Sequence, residues 1–146
     1  MLENVIGSYG SWGLLALRLS AGAVFLAHGW AKLNPNGPMH GPSGFAGWLQ
    51  QMHIPLSPVL AWLVALLETA GAGLLVLGLG TRILAIGYVI DMLVAINVAL
   101  RPMGAVFTSI GPGKSHWELE FLLLGSAQAL FFTGAGAISL DHLIGF

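Results

Sequence analysis

Four long apolar runs dominate the chain, at about residues 12–33, 58–77, 82–100 and 116–133. Each holds about 20 residues, and a helix rising about 1.5 Å per residue needs that length to cross the roughly 30 Å hydrocarbon core of a bilayer. The stretches between them carry stop signals. Asn34-Pro35-Asn36-Gly37-Pro38 ends the first run, and the chain then stays polar and rich in Gly and Pro as far as Ser57. Pro58 suits the first turn of a second helix. Gly78-Leu79-Gly80-Thr81 is a tight connection, and Arg101-Pro102 ends the third run. The loop from Met103 to Lys114 includes Gly111-Pro112-Gly113. Ser115 then fits an N-cap with Glu118 in the capping-box position. Strands of a β-barrel are much shorter and alternate in polarity, which leaves helix as the reading. The pattern predicts an all-α protein, an integral membrane four-helix transmembrane bundle, with residues 1–146 forming a single domain.

Composition says what surrounds those helices. Hydrophobic residues make up 56% of the chain and charged residues 8%. A soluble domain carries about 25% charged residues, and a soluble four-helix domain needs polar outer faces. The side chains available cannot supply them, so the outer surface must face lipid. A net charge of -1 without a Lys/Arg-rich patch excludes nucleic acid. The absence of cysteine excludes disulfides, thiol nucleophiles and thiolate metal sites. The N-terminus lacks a basic region and Arg18 interrupts the first run, so it does not read as a cleaved signal peptide.

Small residues recur four apart at Ala23, Ala27 and Ala31, at Ala61 and Ala65, at Ala95 and Ala99, and at Gly125 and Ala129. Such spacing lets membrane helices approach closely. Trp12, Trp30, Trp48, Trp62 and Trp117 fall mostly near segment ends, as interfacial belts require. Four spans put both termini on one side. Lys32, Arg101 and Lys114 flank the first and third loops, against Arg82 on the terminal side. The positive-inside rule therefore points the termini away from the cytoplasm.

Ionisable groups inside spanning helices are costly and mark candidate sites. Counted from the terminal side, Arg18, Glu68, Asp91 and Gln128 lie at depths of roughly 9 to 15 Å at the helical rise. This predicts one polar layer, with Arg18 paired to Glu68 or Asp91. Its bland reading is an ion pair that fixes helix register. Two acids beside one Arg leave a carboxylate imperfectly neutralised, which favours function. A second layer lies toward the loops: His28, Lys32, Asn97, His116, Glu118 and Glu120. His28 and Lys32 share a helix face, as do His116 and Glu120. Together they outline the mouth of a polar pocket, closed by a loop carrying His40, Trp48 and His53. For Lys32, Arg101 and Lys114 the bland reading is snorkelling to head groups. No metal site is expected, because there is no H-E-x-x-H motif and Glu118 has a capping role. There is likewise no nucleotide, flavin or haem motif, and His28 lacks an axial partner at equal depth.

Several short motifs run along the chain in order. Arg18 is followed by Phe25-Leu26-Ala27-His28-Gly29 and Lys32-Leu33. A Phe45-centred loop ends in Ile54-Pro55. Then come Ala65-Leu66-Leu67-Glu68, Gly71 and Leu75-Val76-Leu77-Gly78-Leu79-Gly80-Thr81-Arg82. Glu120, Gly134-Ala135-Gly136 and Ser139-Leu140-Asp141 complete the set. Together they resemble the DoxX family of small bacterial membrane proteins over nearly the whole chain. The resemblance implies a multi-pass protein of the bacterial inner membrane. It also implies a link to thiosulfate:quinone oxidoreduction, or to enzymes that manage oxidative stress.

The leading expectation is a small membrane subunit of a redox system that binds a quinone or similar lipid-soluble carrier. His28 and Glu120 would meet the head group, with Arg18 and Glu68 in support and Lys32 as a further donor. No electron carrier is evident in the chain, so it is not expected to be catalytic alone and electrons would come from a partner enzyme. Two other expectations stand beside it. One is a non-catalytic scaffold that recruits soluble oxidative-stress or sulfur-metabolism enzymes to the bilayer. The other is a small ion or solute transporter, which would need to be a homo-oligomer.

Overall fold

The computed structural model describes residues 9–108 and 113–146. Its helices are α1 Gly10–Leu33, α2 Gly41–Gln51, α3 Ser57–Leu77, α4 Thr81–Leu100, α5 Glu118–Thr133 and α6 Leu140–Ile144. Among the described residues, α1, α3 and α4 are long and apolar enough to cross a membrane. Helix α5 has 16 residues and reaches about 24 Å at the helical rise. It completes an all-helical transmembrane bundle whose spans end within two residues of the predicted bounds.

Three local features depart from the sequence reading. The polar stretch after α1 is partly helical. Pro42 enters α2 in its first turn, and Phe45 and Leu49 bury one face against Ala61 of α3. Helix α3 contains a π-helical turn at Leu67–Gly71. The capping box at Ser115 does not form. The Ser115 carbonyl accepts from the Val106 amide at 3.1 Å. This pairing holds Ser115 and His116 outside the helix, and α5 starts at Glu118 without a side-chain cap. The neighbouring Gly111-Pro112 lies outside the described residues.

The spans associate as two pairs. α1 runs along α3, and α4 packs most extensively on α5. Phe25 of α1 stacks on Tyr88 of α4 at 3.9 Å between ring centroids, joining the pairs at the core. Leu75, Ala85, Leu123, Ala127 and Leu130 fill the space around them. Close packing of α1 and α3 depends on glycine. Gly22 lies against Val76 and Gly29 against Glu68, where an added Cβ would come within 2.6 Å of a neighbouring atom in each case. On α1, then, the packing face is Ala21, Gly22, Phe25 and Gly29. The alanines at 23 and 27 are exposed instead, as is Gly125 on α5. Large apolar side chains such as Leu26, Leu63, Ile90 and Phe132 also point outward, as a lipid-facing surface requires.

Candidate functional site

The outer half of α3 packs on α1 and α2, while α4 meets α3 mainly from the π-helical turn onward. The divergence leaves a cavity of ≈520 Å³ between α3 and α4. Its walls are mostly apolar. They include Leu63 and Ile90, each 58% exposed. Phe45, Trp48 and Leu49 of α2 form part of its lining. At the inner end, the Tyr88 hydroxyl donates to the Leu67 carbonyl at 2.8 Å. That carbonyl belongs to the π-helical turn, where the α-helical bonding pattern is interrupted.

The polar groups converge on this space. His28 and Lys32 come from α1, Glu68 from α3, Asp91 from α4, Glu120 from α5, and His116 from the segment before it. The π-helical turn carries Glu68, whose side chain is 3% exposed. Lys32 donates to the Glu68 carboxylate in an ion pair. Its ammonium also sits 5.2 Å from the centroid of the Phe45 ring, within the range of a cation–π contact. Lys32 thus turns inward and ties α1 to α3 and α2, rather than snorkelling outward. Asp91 is a charged neighbour of Glu68. Asp91 Oδ2 and Glu120 Oε2 are buried and have no hydrogen-bond partner. A buried acceptor left unpaired costs about 1–3 kcal/mol. His116 is half-exposed, and its Nδ1 lies 3.6 Å from Glu118. Among the described residues, no three His, Asp or Glu converge in a metal-binding arrangement.

Arg18 does not join this cluster. It is fully buried (0% exposed) and donates to the carbonyls of Val76 at 3.2 Å and of Ile138. Asp141 is its charged neighbour. The Asp141 carboxylate accepts from the backbone amides of Gly80 at 2.6 Å and Thr81 at 2.9 Å, which caps α4 from the C-terminal tail. The expected pairing of Arg18 with Glu68 or Asp91 is therefore wrong. Counting residues from helix ends assumed that α1 and α3 lie flush, but they are staggered. Arg18 is level with the Gly78 turn, and Glu68 is level with Gly29 near the other end of α1.

Of the remaining expected residues, Asn97 is exposed on α4 and does not line the cavity. Gln128 is exposed on α5. Trp48 lines the cavity as expected, whereas His40 and His53 are exposed outside it. Tyr88 and Asp141 were missed as polar anchors. A signal for Asp141 lay in the glycine-rich Gly78–Gly80 turn, which offers no capping side chain for the helix that follows.

The DoxX family model matches residues 13–101. A Bacillus subtilis (strain 168) protein named "Putative oxidoreductase CatD" is 31% identical over 134 residues, covering 90% of this chain and 87% of its own. The Escherichia coli (strain K12) "Inner membrane protein YphA" is 27% identical over 129 residues, covering 88% of each chain. No solved structure matches the chain significantly.

Proposed function

The chain belongs to the DoxX family, and from that premise we propose that it is a membrane subunit of a redox system that holds a quinone-like, lipid-soluble carrier. The carrier would sit in the cavity between α3 and α4. One observation supports this reading above the others: the cavity has mostly apolar walls and an ion-paired, carboxyl-lined part. Ligand sites of this kind combine hydrophobic walls with a few placed polar groups. An isoprenoid or alkyl tail suits the apolar walls, which include Leu63 and Ile90. A ring with two oxygens suits the end bearing Lys32, Glu68, Asp91 and Glu120. The relative named as an oxidoreductase fits a redox setting, and the relative named as an inner membrane protein fits placement in that membrane. Electrons would be exchanged with a partner enzyme, and His28 and His116 at the mouth would exchange protons with it or with water. Arg18, first expected to support the head group, has no part in this site.

The test is solvent extraction of the gently solubilised protein, followed by mass spectrometry. Wild type should carry a stoichiometric quinone-class lipid, and Glu120→Gln and His28→Ala should carry much less. Wild-type protein that carries phospholipid alone, and takes up no added quinone, would refute the reading.

A further inference from the structure

Phe121, Gly125, Gln128 and Phe132 of α5 follow one another at intervals of four, three and four residues. At the helical period this spacing aligns them on one strip, the pattern that forms the seam between paired helices. All four are exposed. The core-facing residues Leu123, Leu124, Ala127 and Leu130 occupy the other side of the helix.

Gln128 is out of place on a strip that faces lipid. The hydroxyls of Ser126 and Thr133 donate to carbonyls of α5 itself, at 2.9 and 2.7 Å, whereas the Gln128 carboxamide makes no hydrogen bond among the described residues. Gln128 lies five residues before the end of α5, about 7.5 Å inside the span at the helical rise. Helical side chains lean toward the N-terminus. For Gln128 that direction is the bilayer centre, away from the nearer interface. Gly125 has no explanation within the bundle either. A Cβ added there would meet nothing within 4 Å, and glycine is a poor helix former. Small residues let membrane helices approach closely, and polar side chains bond between them.

We propose that this strip of α5 is the contact face of a symmetric homodimer, in which the Gln128 carboxamides of two copies pair with each other beside Gly125. Two arguments select a second copy as the occupant. A carboxamide carries both donors and an acceptor, so two of them satisfy one another reciprocally. Copies of one chain also insert in the same orientation. A twofold axis along the membrane normal therefore sets Gln128 opposite Gln128 at equal depth, with the same patch on both sides. None of the four strip residues lines the cavity, so the inference stands apart from the carrier reading.

The chain has no cysteine, so Gln51→Cys, at an exposed site on α2, gives one position for donor and acceptor dyes. Energy transfer is measured in lipid vesicles as the lipid-to-protein ratio is varied. Labelled protein should show transfer that rises linearly with acceptor fraction, as a dimer requires, and that falls on dilution with lipid. Adding Gln128→Leu should weaken association about tenfold, as loss of two interhelical hydrogen bonds implies. Gly125→Leu should weaken it too, by filling the space at the contact. Asn97→Leu, which removes an exposed amide from α4 instead, should leave the dimer unchanged. The melting midpoint of Gln128→Leu should not fall, because the variant loses no contact within its own bundle. Transfer no greater than chance proximity at every ratio overturns the proposal. A dimer that Gln128→Leu leaves intact overturns it equally, as does the curved dependence on acceptor fraction of a larger oligomer.

Discussion

Gly29 of α1 lies directly against Glu68 of α3: a Cβ added at Gly29 would fall 2.6 Å from the Glu68 carbonyl carbon and 2.8 Å from its Cβ. The contact has two consequences. It brings α1 close enough for Lys32, one turn further on, to reach the Glu68 carboxylate. It also leaves no space for any side chain larger than hydrogen, because backbone rather than a flexible side-chain end stands in the way. Gly29→Ala should therefore push the helices apart at the cavity, at a cost of about 1–3 kcal/mol. A thermal melt in detergent should show the lower midpoint, and carrier binding should weaken with it. Gly47 faces open space, and Gly47→Ala should leave both unchanged. Equal effects of the two substitutions would contradict the close contact.

The Lys32–Glu68 ion pair predicts a non-additive mutant cycle. Removing one partner of a buried pair leaves an uncompensated charge and costs about 3–5 kcal/mol. Lys32→Met and Glu68→Gln should each destabilise strongly. The double variant should be more stable than the sum of the two losses predicts, because neither charge is then stranded. Melting midpoints of the four proteins measure the coupling. Simple additivity would show that Lys32 and Glu68 act independently.

Arg18 predicts an effect at the opposite end of the bundle. Its guanidinium holds the Val76 and Ile138 carbonyls together, and so joins the end of α3 to the C-terminal tail. Gly78 permits this because its φ of +70° suits glycine and because Nη1 of Arg18 occupies the space a Cβ would take. Arg18→Gln should free the tail, and with it the Asp141 cap on α4. Proteolysis near residue 138 should accelerate markedly. Asp141→Asn should release the tail more weakly, since loss of a cap costs about 1–2 kcal/mol. Carrier binding by the folded fraction of either variant should stay near wild type, because neither residue lines the cavity.

Much of the candidate site was legible in the sequence, for a simple reason. A bilayer excludes charge, so each ionisable residue within a span was already a candidate. Of these, His28, Lys32, Glu68, Asp91, His116 and Glu120 do line one cavity. Their division into two layers was not legible correctly. Depth was counted along each helix from its own end, and the glycine contacts that set the stagger of α1 against α3 involve residues distant in sequence. Asn97 and Gln128 were misplaced because polarity gives no direction around a helix axis. The inward position of Lys32 was hidden too, since a lysine near a span end snorkels equally well when no acid is within reach.

Hydropathy alone pointed to an all-helical membrane protein and to where its long apolar helices lie, because a helix in hydrocarbon satisfies its backbone hydrogen bonds within its own segment. Which charges meet was decided by tertiary structure. The stagger at Gly22 and Gly29, the π-helical turn at Glu68 and the folding back of Asp141 onto the start of α4 are agreements between separate segments. Side-chain partnership acts over a few ångströms, and that proximity exists only after the helices have packed.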